Sequence, residues 1–158
     1  MTRSARQCRT PRRVVTGHDA NGKAVVTFDG AVPNTRKRPS GLVSTLLWVT
    51  DESPADISGS ADRAAREIGI PPPGRGSIFR VVDFPPASGA NPDPGMHRTR
   101  SIDYAVVLEG EIDLVLDDST VCLRTGDVLV QRGTVHGWVN RGTKTCRIAF
   151  ILLDAREP

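Results

Sequence analysis

An antiparallel all-β sandwich or barrel is the fold class this sequence predicts, and three observations predict it. From Ser77 onward, short β-rich runs follow one another, separated by turn signals at Glu109-Gly110, Asp117-Asp118, Thr125-Gly126 and Arg141-Gly142. Within these runs apolar and polar residues alternate, most cleanly where Ile112, Leu114 and Leu116 interleave with Glu111, Asp113 and Val115. The 158 residues include 15 Gly and 12 Pro, a composition rich in turns and poor in long helices.

The elements follow in order. Residues 1–10 read as a disordered basic tail and 11–76 as an arm of strands, loops and one short helix, with a barrel over 77–158. In the arm, Arg13-Val14-Val15-Thr16 and Ala24 to Phe28 are β-rich runs joined through Asn21-Gly22, a strong hairpin dipeptide. Residues 31–41 are polar, with two prolines and a basic cluster, and read as loop. Leu42 to Thr50 is a strand and 51–60 a polar loop. Ala61 to Ile68 is the one helix candidate, with Ser60 as its N-cap and Gly69 at its end. Pro71-Pro72-Pro73-Gly74 then stops it. Pro73-Gly74-Arg75-Gly76 has no P-loop lysine-serine continuation and is a turn. Ile78 to Phe84 is a strand, Pro85 to Pro94 a loop, and strands follow at approximately 97–109, 111–117, 120–124, 127–131, 134–140 and 145–153.

Charge is asymmetric. Residues 1–38 hold nine Lys/Arg against two Asp, so the overall net charge of +3 belongs to the arm and the rest is acidic. The arginines at 3, 6, 9, 12 and 13 have no interleaved aromatic residue and no nucleic-acid motif, so they read as a solvated tail rather than a nucleic-acid interface. No stretch approaches the ~20 apolar residues of a membrane span, and no apolar signal core follows the first arginines. Three cysteines without framework spacing indicate a reducing cytoplasm. Cys122 and Cys146 lie in apolar strand patterns and are expected to be buried. His18, beside Asp19 in a turn, is expected to be exposed.

Strand parity places the chemistry. His97, Thr99, Ser101 and Asp103 share one face, which Ala105 and Val107 continue, so that face points inward. His136, Trp138 and Asn140 share a face of a later strand. Two inward histidines and a carboxylate form a polar spot in an apolar barrel, where metal-assisted or acid/base chemistry on a small molecule can occur. Arg80 alternates with Phe79 and can reach a substrate carboxylate or a rim ion pair. Trp138 and Trp48 can line the pocket or fill core.

The two segments resemble the paired motifs of the cupin superfamily, within its small single-domain "cupin 2 conserved barrel" subgroup. The first motif, G-x5-H-x-H-x3,4-E-x6-G, is matched by His97, with Thr99 in place of the second histidine, Asp103 in place of the glutamate, and Gly110. The second, G-x5-P-x-G-x2-H-x3-N, is matched by Gly126, Arg132 in place of proline, Gly133, His136 and Asn140, with one residue fewer before the histidine. Residues 77–153 carry the resemblance well. Arg12-Arg13-Val14-Val15-Thr16-Gly17-His18 and Leu47-Trp48 extend it into the arm. It implies a double-stranded β-helix, or jelly-roll, barrel with an N-terminal β arm.

The resemblance leaves two chemistries open. His97, Asp103 and His136 can form a two-histidine, one-carboxylate set for one divalent metal, Fe, Mn, Ni or Zn, though Thr99 is a poor ligand and Asp103 is short. The same residues can instead act metal-free, one histidine as general base or acid with Asp103 orienting it. The favoured reading is a small-molecule enzyme of catabolism or secondary metabolism, a lyase that removes water or carbon dioxide. A non-haem metal-dependent dioxygenase and a non-catalytic ligand-binding cupin are the alternatives. Thr99, Trp138, Asn140, Arg80 and Trp48 are the expected pocket lining. The expected partners are a small-molecule substrate and a second copy in a homodimer, with no nucleic acid and no membrane.

Overall fold

The computed structural model describes residues 9–157. It contains eleven strands and, among the described residues, no helix. In chain order they are β1 (Arg12–His18), β2 (Ala24–Ala31), β3 (Thr35–Lys37), β4 (Val43–Thr50), β5 (Ser77–Phe84), β6 (Ser101–Glu109), β7 (Glu111–Val115), β8 (Thr120–Arg124), β9 (Val128–Arg132), β10 (Gly137–Val139) and β11 (Cys146–Asp154). Every pairing is antiparallel. A six-stranded sheet runs β3-β4-β5-β11-β6-β9, a three-stranded sheet runs β10-β7-β8, and β1-β2 form a separate hairpin.

Alternation decides what lies between the sheets. Ala105, Val107 and Ile148 of the large sheet meet Ile112, Leu114 and Leu123 of the small one, with Cys146, in a buried core. Ile112 and Ile148 are almost wholly excluded from water, and each burial contributes about 1.5–3 kcal/mol. Farther along the large sheet, Leu46, Val49, Ile78 and Leu152 are covered by Ala64 and Ile68 rather than by strands. Between these apolar layers the barrel interior is polar. The opposite face of the large sheet packs Leu47, Val81 and Ala149 against Val32 at the base of the hairpin.

Segment 61–68, expected to be helical, is an irregular strap over that second layer. Eight residues nucleate a helix poorly, and here tertiary partners take the backbone groups a helix would use. Asn34 Nδ2 donates to the carbonyls of Ala64 and Arg66, both at 2.7 Å. Asp62 accepts from the Ala64 amide at 2.9 Å and is gripped by Arg13, whose Nη1 also donates to Leu47 O at 2.9 Å. Arg13 therefore belongs to the folded arm, not to a solvated tail. Residues 1–8 of the expected tail, Cys8 among them, lie outside the described residues.

Three other expectations change. Residues 35–37, read as loop, form β3, an edge strand pairing with Val43 to Thr45. Since β3 and β4 pair onto β5, the barrel sheet begins upstream of residue 77. Cys122 is exposed, because Leu123 takes the inward position on β8 and parity turns its neighbour out. Cys146 is buried, and burial pushes its thiol up to about 11. Both are free thiols. His18 is exposed, as expected, and a Gly76 N–H to Pro73 O bond of 2.8 Å closes the turn after the proline run.

Two glycines hold the barrel's tight joints. Gly110, at φ 84°, turns β6 into β7 where an added Cβ would stand 3.0 Å from Thr145 O. At Gly137 a Cβ would fall 2.5 Å from Pro94 O and 2.7 Å from Pro94 Cβ. Only glycine lets residues 94–97 lie against β10, where Trp138 N–H donates to Pro94 O at 2.9 Å. Gly137→Ala is expected to cost about 1–3 kcal/mol by overpacking, read as a lower urea midpoint at unchanged slope; an unchanged midpoint would contradict this packing.

Candidate active site

The site begins with backbone. His97 and His136 form an isolated antiparallel bridge in which each amide donates to the other's carbonyl at 2.9 Å. Directly opposed residues carry their side chains on the same face, and the two imidazole rings sit with centroids 4.4 Å apart. Sequence parity placed His97 in a strand continuous with β6. The structure instead begins β6 at Ser101, and His97 reaches the interior through this bridge.

Each imidazole is held by a carbonyl two residues upstream. His97 Nδ1 lies 2.7 Å from Gly95 O, and His136 Nδ1 lies 3.0 Å from Thr134 O. A carbonyl cannot donate, so both Nδ1 atoms carry the proton and both Nε2 atoms present a lone pair. At His136 the Gln131 amide nitrogen lies over the ring edge, 2.8 Å from Nδ1 and 3.1 Å from Nε2; since Nδ1 gives its proton to Thr134 O, Nε2 is the atom that can accept from this amide. At His97 no described residue hydrogen-bonds Nε2. The two histidines are therefore inequivalent. His136, 4% exposed, is buried and capped, whereas His97 is half-buried with an open basic nitrogen.

A chain of hydrogen bonds supports the capped ring. Ser101 Oγ donates to Asp103 Oδ1 at 2.6 Å, which leaves Thr99 Oγ1 as the donor in its 2.7 Å contact with Ser101 Oγ. Gln131 Nε2 reaches Asp103 Oδ2 at 3.2 Å. Thr99, Ser101, Asp103, Gln131 and His136 are all less than a tenth exposed. The link between the last three follows from register, since Asp103 of β6 faces Gln131 of β9. Around His136, Trp138 makes an edge contact at 5.8 Å, and it packs in turn on Phe150 and Phe84.

Electrostatics follow burial. Burial pushes the Asp103 carboxyl above its ordinary value, against the Ser101 hydrogen bond and the charges of His97 and Arg80. Burial pulls His136 below its ordinary value, the Thr134 bond opposes this, and His97 adds to it. His136 is thus neutral near pH 7.

The structure brings His97, Asp103, His136, Thr99 and Trp138 together. Arg80 points into the same interior between Ile78 and Val82, within electrostatic reach of Asp103. Two expected pocket residues lie elsewhere. The Asn140 amide is consumed by loop structure, donating to Phe84 O at 2.9 Å and Lys144 O at 2.8 Å and accepting from Gly142 N. Trp48 lines an outer groove of about 440 Å³ between the β1-β2 hairpin and residues 55–61, where the Arg13 guanidinium lies over its ring. A register shift in β4 between Leu46 and Trp48 turns it out. Gln131 is the site residue that sequence reading missed; its one signal was parity with Leu129.

The metal-ligand set expected from His97, Asp103 and His136 does not fit as arranged. Among the described residues no three His, Cys, Asp or Glu side chains converge to hold an ion. The Gln131 amide stands between Asp103 and His136 and occupies the nitrogen a metal would need.

Comparison with known proteins places the chain. Residues 80–152 match the cupin domain family. The chain is 40% identical to phomopsin biosynthesis cluster protein C' of Diaporthe leptostromiformis, over 95% of this chain and 82% of that protein. It is 34% identical to the cupin-domain-containing oxidoreductase fogC of Aspergillus ruber, over 92% of this chain and 73% of that protein. The cupin domain of Schizosaccharomyces pombe Cnp3 has the same fold at 15% identity, with a TM-score of 0.51 over 90% of this chain and 87% of that one. The fold and site thus define a cupin barrel. The chain belongs to the cupin family. Among the described residues no helix is long and apolar enough to cross a membrane.

The two shifted groups oppose each other in pH. Between His136's lowered folded pKa and about 6.5, the unfolded chain binds the extra proton, so stability is lost as pH falls through this window. For Asp103 the folded form holds its proton longer, so stability is lost as pH rises from about 3.9 through its folded pKa. Urea titrations from neutral to mildly acidic pH are expected to show a steeper loss in the parent than in His136→Gln. Equal slopes would contradict a neutral, buried His136.

Proposed function

We propose that this chain is a small-molecule enzyme of secondary metabolism, a lyase in which His97 is the general base. The observation that carries this reading is the inequivalence of the two rings: an open Nε2 on His97 beside a capped, neutral His136. The biosynthesis-cluster name of the Diaporthe leptostromiformis relative supports the metabolic setting.

In the proposed step His97 Nε2 takes a proton from a carbon next to a carbonyl. The C–H electron pair becomes a carbon–carbon double bond as the neighbouring C–O bond breaks. The departing hydroxyl leaves as water, receiving the proton from the imidazolium of His97, which returns to neutral. The neighbouring His136 stays neutral because burial and the nearby His97 disfavour its charging, so it does not repel the imidazolium. Proton transfer by a positioned group contributes on the order of 10²–10⁴-fold in rate.

A second reading is an oxidoreductase, favoured by the names of the relatives from Aspergillus ruber and Neurospora crassa. The two are separated by the mass of the product. The purified protein is incubated with small-molecule extract from a producing strain deleted for its coding sequence, and the changed compound is followed by mass spectrometry. A product lighter by one water is expected. A change of two hydrogens, or a gain of oxygen, supports the second reading and overturns the first. His97→Ala is expected to lose about 10²-fold or more of the turnover while remaining folded; full activity in that variant would remove His97 from the chemistry.

A further inference from the structure

Arg80 is a charge on the inward face of the barrel that makes no ion pair with a described residue. It stands on β5 between the buried residues Ile78 and Val82, with its side chain on the inward face. Its one hydrogen bond to a described residue runs from Nη2 to Gly69 O at 2.7 Å, and its Nε–H is buried without an acceptor.

Elsewhere the chain matches its half-buried arginines with carboxylates. Arg13 grips both oxygens of Asp62, Arg66 both oxygens of Asp51, and Arg147 both oxygens of Asp83. A guanidinium whose Nε–H is buried without an acceptor is left partly unsatisfied, and an arginine kept in that condition points to a partner that arrives from outside. Arg38 adds positive charge nearby, which makes the spot more hospitable to an anion.

The space beside Arg80 has a matching size. A cavity of about 30 Å³ lies between the inner ends of β3, β4 and β5 and the strap, lined by Asn34, Arg36, Ser44, Arg66, Ile68 and Arg80. That volume holds roughly two waters, which is the room two carboxylate oxygens require. The rim cations Arg36 and Arg66 are each ion-paired, with Glu67 and Asp51, so Arg80 is the lining cation that has no carboxylate partner among the described residues.

We propose that Arg80 is a substrate-binding residue that receives a carboxylate, so the substrate is a small organic acid anchored through its Nε–H and guanidinium. This rests on the reading of the barrel as a small-molecule enzyme with His97 as base. Asp103 lies within electrostatic reach of both Arg80 and His97, so one buried carboxylate is coupled to anchor and base alike. The strap contributes by holding Nη2 through Gly69, which fixes the guanidinium plane.

The test uses acetate as the probe and acetamide as its neutral counterpart, followed through the Arg80 Nε–H signal of the ¹⁵N-labelled protein. Acetate is expected to move that signal saturably and acetamide to leave it in place. Arg80→Lys, read through the backbone amide signals of the lining residues Asn34 and Ser44, is expected to weaken acetate binding at least about tenfold relative to the parent read the same way, because an ammonium cannot reproduce the planar donor pair. Arg36→Gln is expected to retain it. The proposal is overturned if acetate moves the signal no more than acetamide does, or if Arg80→Lys binds acetate as the parent does. Should Arg80→Lys fail to fold, the parent titration alone decides. None of these readouts involves turnover, so a failure of His97 as base and a failure of Arg80 as anchor are seen separately.

Discussion

The candidate site depends on one backbone contact, the paired 2.9 Å hydrogen bonds between His97 and His136. Residues 94–97 belong to no regular strand, yet they must lie against β10 closely enough to make that bridge. The space comes from Gly137, where any side chain would collide with Pro94. The bridge then fixes the imidazoles on one face and at one separation. Each ring needs only a carbonyl two residues upstream to set its tautomer, so two short local hydrogen bonds complete the pair. Geometry this close to the backbone is costly to distort, which is the condition under which a base keeps its aim.

From that contact outward, the polar interior is organised around Asp103. Donors from Thr99 through Ser101, and from Gln131, converge on its carboxylate, and Gln131 joins it to His136. A buried network of this kind is stable only when its members are satisfied. Among the described residues two groups are not: the Nε–H of Arg80 and the Oε1 of Gln131 lack partners. One is a donor and the other an acceptor. Both belong to side chains on inward faces, between the apolar layer of the two sheets and the layer under the strap. A polar ligand entering that space would find a cation, an open base and an acceptor already oriented by the barrel.

Much of this was legible in the sequence, because strand parity is a two-residue rule that tertiary context rarely overrides. Asp103 with Ser101 and Thr99, His136 with Trp138, and the alternating strand at Ile112 to Leu116 all face as the pattern requires. The failures have physical causes. The stretch from Ala61 to Ile68 has helical composition, but Asn34 and Arg13, near or beyond 30 residues away, claim its backbone and its Asp62. Trp48 is turned out by a register shift, which no single-strand pattern reveals. Asn140 shares parity with His136, yet its amide is used up by the loop that follows. Gln131 escaped because its role appears only when β9 is paired against β6, a long-range fact.

The central claim is that His97 and His136 are both Nδ1-protonated at neutral pH, with His97 Nε2 open and His136 Nε2 capped. Long-range ¹H–¹⁵N correlation spectra of the labelled imidazoles report this directly. The account predicts a neutral His136 at pH 7 with its proton on Nδ1, and a proton on Nδ1 of His97 as well. A His136 that is charged at pH 7, or either imidazole with no proton on Nδ1, would contradict it.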